Sequence, residues 1–281
     1  MGINIKFLGS TDLNQIVHAF NKAFEGYFVT LNFDIDSFQS KLTQESIDLE
    51  LSVGAFDNEE LVGFMFIGVK PEEQSFYNAG TGVISSNRGQ QLTKKMYQLL
   101  LPRMSSLGYK TGILEVVKGN DPAIHIYSLL GYEITRTLEC YKLNQDYPKL
   151  KEQNWVVEEI VNWQLNDWNS FDQWSPTWQN DNTSITNIMD RLTAIQVSDN
   201  GEGLGYAIFD KAKGRIHQLS VKKESRNKGI ASALLNYISS NSLSNLHWGN
   251  VDGNHMATNQ WMVNRGFEVF LTQYEMILDL E

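Results

Sequence analysis

The spacing of apolar positions changes several times along the first half of the chain, and each change marks an element. Residues 6–8 read as a short strand. Leu13, Ile16, Val17, Phe20 and Phe24 recur at the three-and-four spacing of an amphipathic helix, with a cap expected near Ser10 or Thr11. Phe38 and Leu42 predict a second short helix. Residues 52–56 and 61–69 read as strands around the turn Asp57-Asn58-Glu59, and 78–84 as another. A polar loop then enters a helix carrying Leu92, Met96, Leu99 and Leu100. Residues 113–117 predict a strand, 123–130 a helix, and 133–143 a closing strand or hairpin.

The stretch 144–154, NQDYPKLKEQN, is polar and contains Pro148, so it reads as a linker. The order then recurs. Strands at 192–197 and 205–209 flank the turn Asp199-Asn200-Gly201. Residues 216–221 predict a strand, 229–238 a helix, 247–251 a strand, 256–263 a helix and 267–280 two final strands. With Val83 set against Val221, an arginine follows five residues later in both halves, at Arg88 and Arg226. Asn120-Asp121-Pro122-Ala123 then matches Asn254-His255-Met256-Ala257, and Gly131-Tyr132 matches Gly266-Phe267. Landmarks in one order, twice, indicate a duplication: domains at 1–145 and 155–281 joined by 146–154.

Composition narrows the function classes. The chain has 281 residues, of which 42% are hydrophobic and 11% aromatic, enough for two packed cores. No apolar run reaches the ~18 residues of a membrane span, and the start lacks a signal-peptide core, so neither a membrane nor a secretory route is expected. A net charge of −10 argues against a nucleic-acid partner. Cys140 is the only cysteine and sits in an apolar stretch, consistent with a cytoplasmic protein and a packed thiol. The five histidines have no metal-ligand spacing, so no metal is expected.

The chemistry is expected where a strand ends in Leu219-Ser220-Val221 and a polar turn, Lys222 to Lys228, leads to a helix opening at Gly229. Amides at such a helix start converge, and the helix dipole favours an anion there. Gly229 permits close approach and Ala231 keeps the first turn slim. The spacing R-x-x-G-x-A, Arg226 to Ala231, resembles the pyrophosphate loop of the GNAT acetyltransferase superfamily, and the N-x-x-A and Gly-aromatic pairs resemble its next motif. The resemblance spans both halves. It implies two tandem GNAT domains of α/β (mixed α+β) class, each a mixed central sheet flanked by helices. It also implies acetyl-CoA held between splayed strands, and direct attack of an amine on the thioester. Cofactor contacts are expected from Leu219, Val221, Arg226, Asn227, Lys228, Gly229, Ile230, Ala231, Ser232 and Asn254. Weaker candidates in the first half are Val83, Arg88, Gly89, Thr93 and Asn120.

The copies depart from the pattern in complementary ways. In the first, Gln91 replaces the glycine and Thr93 the small residue, so a Cβ and long side chain are expected to crowd the phosphate. In the family a tyrosine after N-x-x-A often protonates the departing thiolate. Tyr127 stands there in the first copy, and Met262 or Trp261 in the second. Losing an acid slows the reaction, whereas losing the cofactor abolishes it, so the second copy is favoured as the acetyl-CoA site. His217 is a candidate base, with an unperturbed pKa near 6.5. Tyr127 also reads as core packing, and His217 as structural. The cluster Trp155, Trp163, Trp168, Trp174 and Trp178 reads as packing more than as an aromatic box. Gly201-Glu202-Gly203-Leu204-Gly205 reads as a hairpin turn.

The functional expectation is an acetyl-CoA-dependent N-acetyltransferase acting on a small amine or an exposed amino group, such as that of a peptide. The rival is a non-catalytic acyl-CoA-binding or scaffold protein. A third reading has both copies acting on a shared substrate. Neither the acceptor nor the oligomeric state is legible in the sequence.

Overall fold

A computed structural model describes residues 2–29, 31–144, 155–168, 171 and 174–280. Most of the expected linker, 145–154, lies outside the described residues. The chain forms two compact units, Met1–Thr135 with Tyr274–Glu281, and Arg136–Gln273.

In the first unit the order is β1 (Asn4–Phe7), α1 (Leu13–Ala23), α2 (Ile35–Gln44), β2 (Val53–Asp57), β3 (Glu60–Lys70), β4 (Ser75–Val83), α3 (Leu92–Ser106), β5 (Thr111–Val117) and α4 (Asp121–Leu129). The cap of α1 is Asp12 rather than Ser10 or Thr11. Its carboxylate accepts from the amides of Asn14 and Gln15, which a strong anionic acceptor does better than a hydroxyl further out. Asp34 and Ser37 form a capping box at the start of α2. The sheet runs β1-β2-β3-β4-β5 and is closed by residues 274–279 of the last strand. Alternation along the strands buries one face under α3, around Met96, Tyr97, Leu114, Val116, Met276 and Leu278. The other face is buried under α1 and α2, around Phe20, Phe38, Phe64 and Phe66.

The second unit contains β6 (Glu133–Leu143) from Arg136 onward, then β7 (Glu158–Glu159), α5 (Asn182–Thr186), β8 (Thr193–Asp199), β9 (Glu202–Asp210), β10 (Arg215–Val221), α6 (Ile230–Asn241), β11 (His247–Asp252), α7 (Met256–Asn264) and the first part of β12 (Phe267–Asp279). Its strands follow the order β6-β11-β10-β9-β8-β7. Asn200-Gly201 joins β8 to β9 with both φ positive, +49° and +81°, as a tight hairpin needs, so the glycine-rich stretch is a turn as expected. The expected pair of strands at 267–280 is instead one continuous strand. No Gly or Pro interrupts its thirteen residues, so nothing breaks its extended run. The tryptophans pack: Trp163, Trp168 and Trp178 are buried, and Trp168 stacks on Tyr206 at 4.5 Å.

Candidate active site

In each unit two parallel strands begin paired and then part. β4 and β5 are registered from Ser75/Thr111 to Asn78/Leu114, after which β4 runs on to Val83 and β5 to Val117 without pairing. β10 and β11 pair only at Arg215/His247 and Ile216/Trp248. Strands that part expose backbone groups that a ligand lying between them can satisfy.

The loops after β4 and β10 have the same backbone conformation. Each contains one 3-10 turn, at Ser85–Asn87 and Lys223–Ser225. Each continues through an extended arginine, Arg88 at φ −67° and Arg226 at φ −66°. Each ends on a left-handed residue before the helix, Gln91 at φ +58° and Gly229 at φ +88°. Both arginines donate from Nε to the strand-end carbonyl five residues back, Val83 and Val221, at 3.1 Å, and so brace the loop. Arg88 also reaches the Ala23 carbonyl at 3.0 Å. The amides of residues 89–94 and 227–232 have no acceptor among the described residues. Both helix starts thus present unspent donors to an anion. Gln91 takes the left-handed conformation that glycine takes in the second unit, and it is exposed at the edge of the cavity these amides face.

The space in front of the two loops differs in character. In the first unit a cavity of about 920 Å³ is bounded by residues 81–83 at the free end of β4, the loop and first turn of α3, residues 120–130 around α4, and the turn 23–28. Val83, Arg88, Gly89, Thr93, Asn120 and Tyr127, all singled out in the sequence, line it together. The turn was not anticipated; Phe24, Tyr27 and Phe28 form its cavity wall, and Asn120 Nδ2 donates to the Tyr27 hydroxyl at 3.3 Å.

Tyr127 is 8% exposed, with its ring edge-on to Tyr97 and Tyr132 at 6.2 and 5.9 Å. Burial pushes its phenol up to about 12, against hydrogen bonds from Thr81 and Asn78 that act downward. It is therefore protonated throughout the physiological range. Glu115, which no sequence motif marks, follows the last β4–β5 pair. Its neighbours Leu114 and Val116 face α3, so alternation turns it to the other side of the sheet. The Tyr77 hydroxyl donates to Glu115 Oε2. Burial raises the Glu115 carboxyl to about 7, with Glu275 and Glu45 adding to the rise and Tyr77 and Lys41 opposing it. The one signal for it in the sequence is a single charge inside the apolar strand Ile113 to Val117.

In the second unit the corresponding surface carries large side chains. The Trp155 indole donates to the Lys228 carbonyl at 2.7 Å. Arg265 Nη2 donates to the Ser232 hydroxyl at 2.7 Å. Trp174 lies 5.1 Å from the His255 ring and 5.8 Å from the Trp248 ring. Leu219, Val221 and Ile230 are buried in the core that also holds Met262, while Asn254 is exposed and its backbone N–H donates to Asp252 Oδ1 at 2.8 Å. Asn227, Lys228, Gly229 and Ala231 sit on the loop and first turn as expected. His217 is 3% exposed on β10. Burial, helped by Arg215, His247 and Lys213, holds its pKa well below the ordinary value, so the ring is neutral near pH 7 and a weak base. Cys140 is buried, as expected.

Among the described residues no group of three or more His, Cys, Asp or Glu could hold a metal ion, and no helix is long and apolar enough to cross a membrane.

The profile of the acetyltransferase (GNAT) family matches residues 13–132 and 157–259, one segment in each half. The mycothiol acetyltransferase of Corynebacterium glutamicum is 34% identical over 88 residues, 31% of this chain and 30% of that protein. The aligned part therefore spans under a third of that relative. Among solved structures, a GCN5-related N-acetyltransferase from Sphaerobacter thermophilus superposes with a TM-score of 0.76 over 99% of this chain and 95% of its own, at 14% identity. A tandem GNAT protein from the clavulanic acid biosynthesis pathway superposes with a TM-score of 0.71 over 99% and 98%, at 11% identity. Likeness at such identities is one of fold.

Proposed function

The chain belongs to the GNAT acetyltransferase family, and from that premise we propose that it is an acetyl-CoA-dependent N-acetyltransferase whose cofactor site lies in the first unit. The observation that carries the proposal is the cavity of about 920 Å³ at the parting of β4 and β5, with unspent amides at one side and the Tyr127 phenol on its wall. This moves the site away from the Gly229 loop that the sequence favours. That preference rests on a Gln91 side chain crowding the phosphate; Gln91 lines the cavity and is exposed, and the amides of residues 89–94 beside it are unspent all the same.

The residues fit the co-substrate. A diphosphate is anionic, and the amides of residues 89–94 sit at the positive end of the α3 dipole, with the Thr93 hydroxyl beside them. Asn120 supplies an amide that can pair with a pantetheine amide once Tyr27 releases it. When bound, the thioester supplies an activated acyl group and a thiolate leaving group.

An acceptor amine is protonated in water, with a pKa near 10.4 for an alkyl ammonium, and must lose a proton to attack. Glu115, poised near 7 on the other side of the parted strands, takes that proton. Tyr127 donates its proton to the departing sulfur. The C–N bond forms and the C–S bond breaks; nitrogen loses its second proton as the amide forms, which restores the Tyr127 phenol, and Glu115 gives the first proton to solvent. The products are an amide and a free thiol. The acceptor is a small amine or an exposed amino group reached in the cytoplasm.

A specific observation favours a second reading, in which the second unit also holds an acyl-CoA: the 227–232 amides are unspent in the same loop conformation. Its Trp155 and Arg265 contacts make that site the weaker one. The test is thiol release from acetyl-CoA against a panel of polyamines, aminoglycosides and amino acids. Turnover that Tyr127→Phe and Glu115→Gln each slow supports the proposal. Binding of acetyl-CoA without turnover on any amine supports the non-catalytic rival.

A further inference from the structure

The cavity of the first unit carries opposite charges in different places. Arg88 and Lys94 belong to the loop after β4 and the first turn of α3, beside the amides that face the diphosphate. Glu25, the one acidic side chain among the described residues that line it, lies on the turn after α1. Because α1 covers the face of the sheet opposite α3, this turn stands on the side to which Glu115 is directed. The same turn carries Phe24, Tyr27 and Phe28. Phe24 is anchored by the core rings Phe20 and Phe64, at 4.6 and 6.1 Å. Tyr27 meets Phe24 at 4.9 Å and 80°, and Phe28 meets Tyr27 at 5.1 Å and 88°. Each ring is turned about a right angle from the one before, and all three line the cavity. The Tyr27 hydroxyl accepts from Asn120 Nδ2 at 3.3 Å, which steadies the middle ring. Phe28 is 58% exposed, so it adds little to the core and its ring is open to a ligand at the cavity wall.

We propose that the Phe24, Tyr27 and Phe28 rings, with Glu25, form a subsite for a second positive charge, so that the acceptor is a diamine or polyamine. Its far ammonium sits against the rings while its near amine reacts. The inference rests on the first unit being the acetylating site proposed above, and it names the acceptor class of that site. An aromatic face attracts an ammonium within about 6 Å of its centroid, and a carboxylate beside it adds a full opposite charge. A wall for an uncharged chain has no use for the carboxylate. The two nitrogens of the acceptor also have different needs: the near one must be neutral to attack, whereas the far one is held only while charged. Once the near amine is acetylated, one ammonium remains, and the product is a poor acceptor for a second round.

The test takes diamines of three to six carbons, each against the amino alcohol of the same length, in thiol release at saturating acetyl-CoA. The best diamine is expected to exceed its amino alcohol about tenfold in kcat/KM, carried by KM, beyond the roughly twofold that two equivalent amines give by number alone. Phe28→Leu keeps an apolar side chain at an exposed position, and Glu25→Gln removes only a charge, so neither endangers the fold. Each should bring the ratio down to within about threefold. The singly acetylated diamine should react about as slowly as the amino alcohol. Equal values for diamine and amino alcohol in the parent overturn the inference, and so does a parent-like ratio in either variant. If acetyl-CoA binds and no amine is acetylated, the reading beneath fails by itself. Calorimetry of the same pairs against protein saturated with CoA then decides the subsite: about tenfold tighter binding of the diamine supports it, and equal affinities contradict it.

Discussion

Thr93→Glu asks which unit holds the diphosphate. Thr93 is the second residue of α3, half-buried, and lines the cavity beside the unspent amides. A carboxylate there would stand about 5 Å from a diphosphate carrying about two charges. At an effective dielectric of about 40, each charge pair is worth about 1.7 kcal/mol, and the repulsion about 3 kcal/mol. That corresponds to a loss of about two orders of magnitude in acetyl-CoA affinity. Folding is not at risk, because an acidic residue in the first turn of a helix stabilises it by about 0.3–1 kcal/mol. Ala231→Glu is the matched control at the second residue of α6, also half-buried. Isothermal calorimetry of both variants, each checked for an unchanged Tm, gives the answer. We expect Thr93→Glu to lose measurable binding and Ala231→Glu to bind like the parent. The opposite pattern would refute the assignment, and losses in both would show two sites.

Other expectations follow from the same contacts. Glu115 must be ionised to accept a proton, so kcat/KM should rise with pH through a limb near 7, and Glu115→Gln should flatten that limb. The same raised pKa means that the folded state binds more protons than the unfolded one between about 4.5 and 7. Stability therefore falls as pH rises through that window, and Glu115→Gln should gain in Tm relative to the parent at pH 8 but not at pH 4. For His217 the sign reverses. Its folded pKa is depressed, so stability is present above about 6.5 and lost as pH falls; His217→Phe should unfold less readily in acid, by urea titration at pH 5 against pH 8. Trp168→Ala removes a ring stacked at 4.5 Å on Tyr206 and a hydrogen bond to Gln196, and should cost about 3–5 kcal/mol in chemical denaturation of the second unit.

The repeat and most element positions were legible because they depend on period and order. Leu13 to Phe24 and Leu92 to Leu100 carry a helical spacing that only a helix buries, and Asn200-Gly201 is a turn on local backbone grounds alone. The site was less legible, since it depends on direction. The sequence shows that Gln91 has a Cβ; it does not show that Gln91 takes the left-handed conformation and leaves the amides beside it unspent. Glu115 was visible as a charge in an apolar strand, but its proximity to Glu45 and Glu275 comes from α2 and β12, distant in sequence. The unbroken run of β12 has its signal in the sequence too, in the absence of Gly and Pro between Phe267 and Asp279.

The direct test of where the diphosphate sits is hydrogen exchange of the backbone amides, with and without saturating acetyl-CoA. A cofactor held in the first unit predicts slowed exchange across residues 89–94, with residues 227–232 exchanging as in the free protein. Slowed exchange confined to 227–232 would contradict it.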